Sequence, residues 1–162
     1  MNAEEFKKVA AELKERPMPG KHVYVWNGDE NALIEIIGKG LTREFDLAKD
    51  IQVDESYAHT ETGFPRLIEK ATERKLLELY SEVSDLKKQQ ILVVSSSSIL
   101  SRYKIGLTVF YDYYIGDRTM VVFVVPKPQV LANFGLPDYV RYEPDETLKY
   151  LGNLVQPENI VE

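Results

Sequence analysis

Three short segments hold residue types that could carry chemistry, and each follows an apolar run. They are Asn27-Gly28-Asp29-Glu30, Ser95-Ser96-Ser97-Ser98 and Pro126-Lys127-Pro128. The first is a turn that leads into a helix, the geometry that holds phosphate on a helix N-terminus. A phosphate-cradling loop also needs glycines for close backbone approach, and a Lys with Ser or Thr for the phosphates and Mg²⁺. This loop supplies one glycine and two carboxylates, and carboxylates repel phosphate. Two readings follow for Asn27, Gly28, Asp29 and Glu30: an ordinary turn, or a degenerate loop that contacts a nucleotide, metal or other small ligand. For the serines, a nucleophile would want a Gly-x-Ser-x-Gly elbow, and no glycine flanks them. Ser95, Ser96 and Ser97 are therefore candidates for ligand contact, with a polar turn capping the next segment as the plainer alternative.

Other patterns carry less. Gly38-Lys39-Gly40 resembles part of a phosphate loop in composition, but Leu33 stands where the first glycine belongs and Gly40 where Ser or Thr belongs. A helix stop with a solvated lysine explains it. Glu35 and Lys39 are four residues apart in a helical segment, whereas a restriction-type nuclease core wants an acid and a lysine two apart on one strand face. His22 and His59 have no third ligand or triad partner near them in sequence. Tyr103, Phe110, Tyr111, Tyr113 and Tyr114 crowd together. Phe110, Tyr111 and Tyr114 fall on one helical face, which leaves Tyr103 and Tyr113 as candidates for a protein interface. No catalytic residue and no metal site emerges, and no cofactor is expected.

The elements that must position these loops are legible from capping and periodicity. Asn2 can cap a helix carrying Glu4 and Glu5 in its first turn and Phe6, Val9, Ala10 and Leu13 at helical spacing, up to Pro17-Met18-Pro19-Gly20. Residues 22–26 read as a strand and 30–37 as a helix ended by Gly38. Glu44-Phe45-Asp46-Leu47 is the best candidate for a second strand. A long helix starts near Pro65 and ends near Leu86, before Lys87-Lys88. Residues 91–94 and 120–125 are apolar without alternation, the mark of strands covered on both faces. Between them 106–115 reads as a helix with Gly116-Asp117 as its exit; 139–142 reads as a last strand, and Pro144 opens a closing helix.

Strands alternating with helices, and strands apolar on both faces, predict an α/β fold: a mostly parallel five-stranded sheet between two helix layers. A single domain over 1–162 is expected, with 1–20 as an N-terminal helix packed on it. In such a sheet ligands sit beyond the carboxyl ends of the strands. The loops after Trp26, Val94 and Val125 are thus the places to search.

The chain's 162 residues suffice for a core without disulfides, and there is no cysteine. Its 20 Lys and Arg against 26 Asp and Glu give a net charge of −6, which disfavours polyphosphate backbones. A nucleic-acid module built on Lys87, Lys88, Arg102 and Lys104 ranks last for that reason. The first helix opens with charged residues rather than an apolar signal core, so a soluble cytoplasmic protein without a membrane segment is expected.

The order of these elements, strand-turn-helix at 22–37, a hydrophobic strand ending in small polar residues at 91–98, and a further strand at 120–125, resembles the core of P-loop NTPases. More narrowly, 91–126, with Asp117-Arg118-Thr119 leading into the last apolar strand, is similar to small accessory proteins of BREX-type phage-defence systems. That resemblance implies a cytoplasmic component working beside larger proteins, among them an alkaline-phosphatase-like defence protein. The chain departs from it where hydrolysis would be done. The phosphate-loop lysine is missing, and serine stands where a hydrolytic P-loop enzyme has an acid. The expectation is a non-enzymatic accessory or scaffold subunit with a degenerate nucleotide-binding loop and a protein partner. Its alternative is a nucleotide- or metal-responsive regulator or enzyme using the loops at the carboxyl edge.

Overall fold

Alternation of side chains across the strands explains why the central runs are apolar at every position. A computed structural model of the chain describes residues 1–20, 22–51, 53, 63–82, 90–114, 119–127 and 138–162. Its strands are β1 (Val23–Trp26), β2 (Thr42–Asp46), β3 (Gln90–Ser95), β4 (Thr119–Val124) and β5 (Ile160–Val161). Leu92, Val94, Val121, Phe123, Val23 and Val25 join one core cluster, while Ile91, Val93, Met120, Val122, Tyr24 and Trp26 join another. Successive residues point to opposite faces, so two buried faces demand two sets of apolar residues. The sheet is parallel throughout, in the order β2-β3-β4-β1-β5, and the fold is α/β with helices on both faces.

The helices are α1 (Ala3–Glu15), α2 (Glu30–Ile37), α3 (Gly63–Glu82), α4 (Ser98–Arg102), α5 (Thr108–Tyr114) and α6 (Pro144–Gly152). One face is covered by α1 and α2 through Phe6, Leu13, Leu33 and Ile37. The other is covered by α3, α4, α5 and α6 through Phe64, Ile68, Ile99, Leu100, Phe110 and Leu151. The division follows from handedness. The connection from β1 runs outward to the edge strand β2, while those from β2 to β3 and from β3 to β4 step back. Right-handed crossovers in opposite directions must lie on opposite faces. At the adjacent ends of β1 and β4 the chain therefore departs to different sides, opening a crevice at the carboxyl edge.

Local signals set the helix ends as expected. Asn2 and Glu5 form a reciprocal capping box at α1. Gly38, with φ of 90°, ends α2, and its N–H donates to the Ile34 carbonyl. The rings of Phe6, Tyr24 and Trp26 pack with centroids 5.4 and 5.7 Å apart, which fastens α1 to the sheet.

Two assignments are corrected. The segment 139–142 is not a strand: Asp138–Val140 is a 3-10 turn, and Val140 enters the core ahead of α6. The fifth strand is the two-residue β5, too short to show a period, held by pairing Val25 with Ile160 and Trp26 with Val161. The serine segment also continues into a short helix, α4, and the helix expected over 106–115 begins at Thr108. The expected end of α3 near Leu86, Lys87-Lys88 and Gly116-Asp117 lie outside the described residues. Among the described residues no helix is long and apolar enough to cross a membrane.

Candidate functional site

At the crevice between the ends of β1, β3 and β4 lies a cleft of about 350 Å³. It is lined by Asp29, Glu30 and Asn31 after β1, Asp46 and Ser95 to Ser98 at the ends of β2 and β3, Val124, Val125 and Pro126 at the end of β4, and Val140, Tyr142 and Thr147 before and within α6. Among the described lining residues there is no Lys, Arg or His.

The loop after β1 is closed by its own residues. Trp26 Nε1 donates to the Asp29 carbonyl at 2.9 Å. Asn27 N–H donates to Val161 O at 2.9 Å. Asp29 Oδ2 accepts from Ala32 N–H at 3.2 Å as the N-cap of α2, and Leu33 N–H donates to the Asp29 carbonyl. A Cβ on Gly28 would stand 3.2 Å from Trp26 Nε1, so glycine there lets the turn lie against the indole. Of the residues singled out in this loop, Asp29 and Glu30 reach the cleft, while Asn27 and Gly28 shape the turn behind it. Of the donors around this turn, Ala32 N–H, Leu33 N–H and the Trp26 indole are used within it, and Asn27 N–H is used by β5.

The serines divide into different roles. Ser96 has φ of 57° and its Oγ donates to Asp46 Oδ1 at 2.7 Å. Asp46 Oδ1 also accepts from Ala48 N–H at 2.8 Å. Ser97, buried, turns its hydroxyl onto the Val94 carbonyl at 3.3 Å. Ser98 accepts from Glu143 N–H and lies 3.1 Å from Thr147 Oγ1, itself 3.1 Å from Ser101 Oγ and 2.6 Å from the Glu143 carbonyl. This buried hydroxyl knot ties α6 to the start of α4. Across the cleft Tyr142 donates its hydroxyl to the Pro126 carbonyl, with that of Lys127 at 2.9 Å, which holds the chain leaving β4.

Burial pushes the Glu30 carboxyl above its ordinary value, and the negative charges of Glu44, Asp46 and Asp29 push it in the same direction, with Lys49 a partial offset. The cleft is thus acidic and acceptor-rich; Val124, Val125 and Val140, which also border it, are buried in the two cores. Among the described residues no group of three His, Asp or Glu is placed to hold a metal ion.

Among the cleft residues that sequence reasoning missed are Asp46, Tyr142, Val140 and Thr147. Asp46 ends the strand with the weakest pattern, and the other three come from the segment misread around 139–142 or from the helix after it. Placing Glu44–Leu47 as a parallel strand would have been the signal for Asp46, because its carboxyl end must join the same edge.

Elsewhere, Tyr103 is half-buried with its ring 5.0 Å from that of Phe64, and the Tyr113 side chain lies outside the described residues. Arg102 pairs with Glu143 at 3.5 Å along a groove between α4 and α6. His22 Nε2 sits 2.9 Å from the Met18 carbonyl, and His59 is outside the described residues. Comparison with protein-family models, curated proteins and solved structures returns no match for the chain.

Proposed function

We propose that the chain is a non-enzymatic accessory subunit that binds a protein partner, with its carboxyl-edge cleft as the contact site. The observation that carries this reading is the self-closed loop after β1. Asn27 N–H, Ala32 N–H and the Trp26 indole are bonded within the turn or to β5, and carboxylates face the space a phosphate would enter. Ser95 stands at the end of β3 in place of the acid that would organise Mg²⁺ and water for hydrolysis. We take from the resemblance of 91–126 to small accessory proteins of BREX-type systems the further reading that such a subunit works beside larger phage-defence proteins, an alkaline-phosphatase-like one among them.

Thermal unfolding with ATP, ADP and GTP, with and without Mg²⁺, tests the first half. A ligand at about 100 times its Kd stabilises a fold by roughly 2.7 kcal/mol, and no shift is expected here. A clear rise in Tm would favour the nucleotide-responsive alternative. Purification of a tagged copy from its own host tests the second half: a stoichiometric partner is expected, and its retention by a variant with Asp29 and Glu30 replaced by Asn and Gln would remove the cleft from the interface.

A further inference from the structure

The helix α3 is the longest of those described, and one side of it meets the sheet through the buried Phe64, Ile68, Leu76 and Leu79. On the opposite side Leu67, Lys70, Arg74 and Leu77 stand three, four and three positions apart, the spacing that keeps residues on one stripe of a helix. All four are exposed, the two leucines at 37% and 53%. With Leu154 these leucines are the large apolar side chains left in water among the described residues. Arg66, Lys70 and Arg74 follow one another at intervals of four, so three cations are neighbours along the stripe. None of the three forms an ion pair among the described residues. The acids bordering the stripe, Glu73 and Glu78, are already engaged, Glu78 with Lys75 at 3.3 Å.

We infer that this face of α3 docks an acidic amphipathic helix of a partner protein, with carboxylates against Lys70 and Arg74 and apolar side chains against Leu67 and Leu77. The surface shares no residue with the carboxyl-edge cleft, and the inference stands apart from it. Charge selects the occupant. A second copy of the chain, paired in register through the same face in either direction, would set Lys70 and Arg74 against those same two cations, which disfavours self-association. An anionic membrane fits less well, because the continuous apolar face of α3 is buried against the sheet and only separated leucines remain to insert. A helix with carboxylates at the two inner positions and apolar residues at the two outer ones uses every side chain of the stripe.

The test uses a capped, fluorescein-labelled, alanine-based helical peptide with glutamate at the inner and leucine at the outer positions of a matching stripe, and a second peptide with lysine in place of glutamate. Each is titrated with the full chain at about 0.1 M salt, where charges beyond about 10 Å are screened. The glutamate peptide should bind with a Kd of about 100 μM or tighter, and the lysine peptide should not bind. Lys70→Glu with Arg74→Glu should reverse that preference. Leu67→Ala with Leu77→Ala should weaken binding about tenfold with Tm unchanged, because both side chains are exposed in the free protein. Lys7→Glu with Lys8→Glu, an equal change of charge on the exposed side of α1, should leave binding as it was. Equal binding of the two peptides, no binding at about 1 mM, or as large a loss with the α1 variant would overturn the inference. So would a dimer in sedimentation that the leucine variant dissolves, which would give the face to a second copy, or binding to phosphatidylserine vesicles without binding of the glutamate peptide, which would give it to a membrane.

Discussion

Ser96 donates its hydroxyl to Asp46 at 2.7 Å across 50 positions of sequence, joining the carboxyl ends of β3 and β2. The bond is made from a left-handed backbone, with φ of 57° at Ser96, a conformation that costs a side-chain-bearing residue about 1–2 kcal/mol. Because Asp46 lines the cleft and Ser96 orients one of its oxygens, this pair fixes part of the shape and charge of the site.

Ser96→Ala keeps the backbone strain and removes the bond to a carboxylate, so a loss of about 1–3 kcal/mol is expected. Ser96→Gly removes the same bond and relieves the strain, and should be the less destabilised of the two. Urea unfolding of both variants provides the check; an alanine variant more stable than the glycine variant would contradict the account.

Glu30 gives a pH-dependent test. Its carboxyl is raised by burial and by its acidic neighbours, so the folded protein holds that proton more tightly than the unfolded chain does. The stability linked to it is complete below the ordinary carboxylate range and is lost as pH rises through the raised value. Glu30→Gln should therefore have a higher Tm than the parent at pH 7, with the difference vanishing in acid. The favourable interaction of Glu30 with the α2 N-terminus opposes this and is already outweighed in the raised value. A lower Tm for the variant at neutral pH would contradict the assignment.

Thr147 is buried, and its hydroxyl meets Ser98, Ser101 and the Glu143 carbonyl. Thr147→Val leaves polar partners behind without a replacement, at an expected cost of about 1–3 kcal/mol. Hydrogen exchange should show α6 and the start of α4 losing protection together. Loss in α6 alone would mean that the hydroxyl knot does not couple them.

Phe6 is fully buried between α1 and the rings of Tyr24 and Trp26. Phe6→Ala should cost about 3–5 kcal/mol. Trp26 is the one tryptophan in the chain, so its emission reports the event directly: a red shift is expected as the indole becomes wetter. An unshifted spectrum with unchanged stability would show that α1 is not fastened through this ring.

What the sequence by itself determined is what neighbouring residues decide among themselves. The capping box of Asn2 and Glu5, the stop at Gly38 and the Pro144 start of α6 are hydrogen-bonding and dihedral preferences within one helical turn. The unbroken apolar runs of β3 and β4 announced strands buried on both faces, and with alternating helices they implied the parallel α/β sheet. Only the tertiary structure decided which strands are neighbours. The two-residue β5 exists because β1 offers it a free edge, and no local propensity marks so short a strand. Asp46 meets Ser96, and Thr147 meets Ser98, across 50 and 49 positions, contacts that arise from strand order and crossover handedness. The cleft was foreseeable as an edge of the sheet, but its acidic character depends on which side chains that topology brings together.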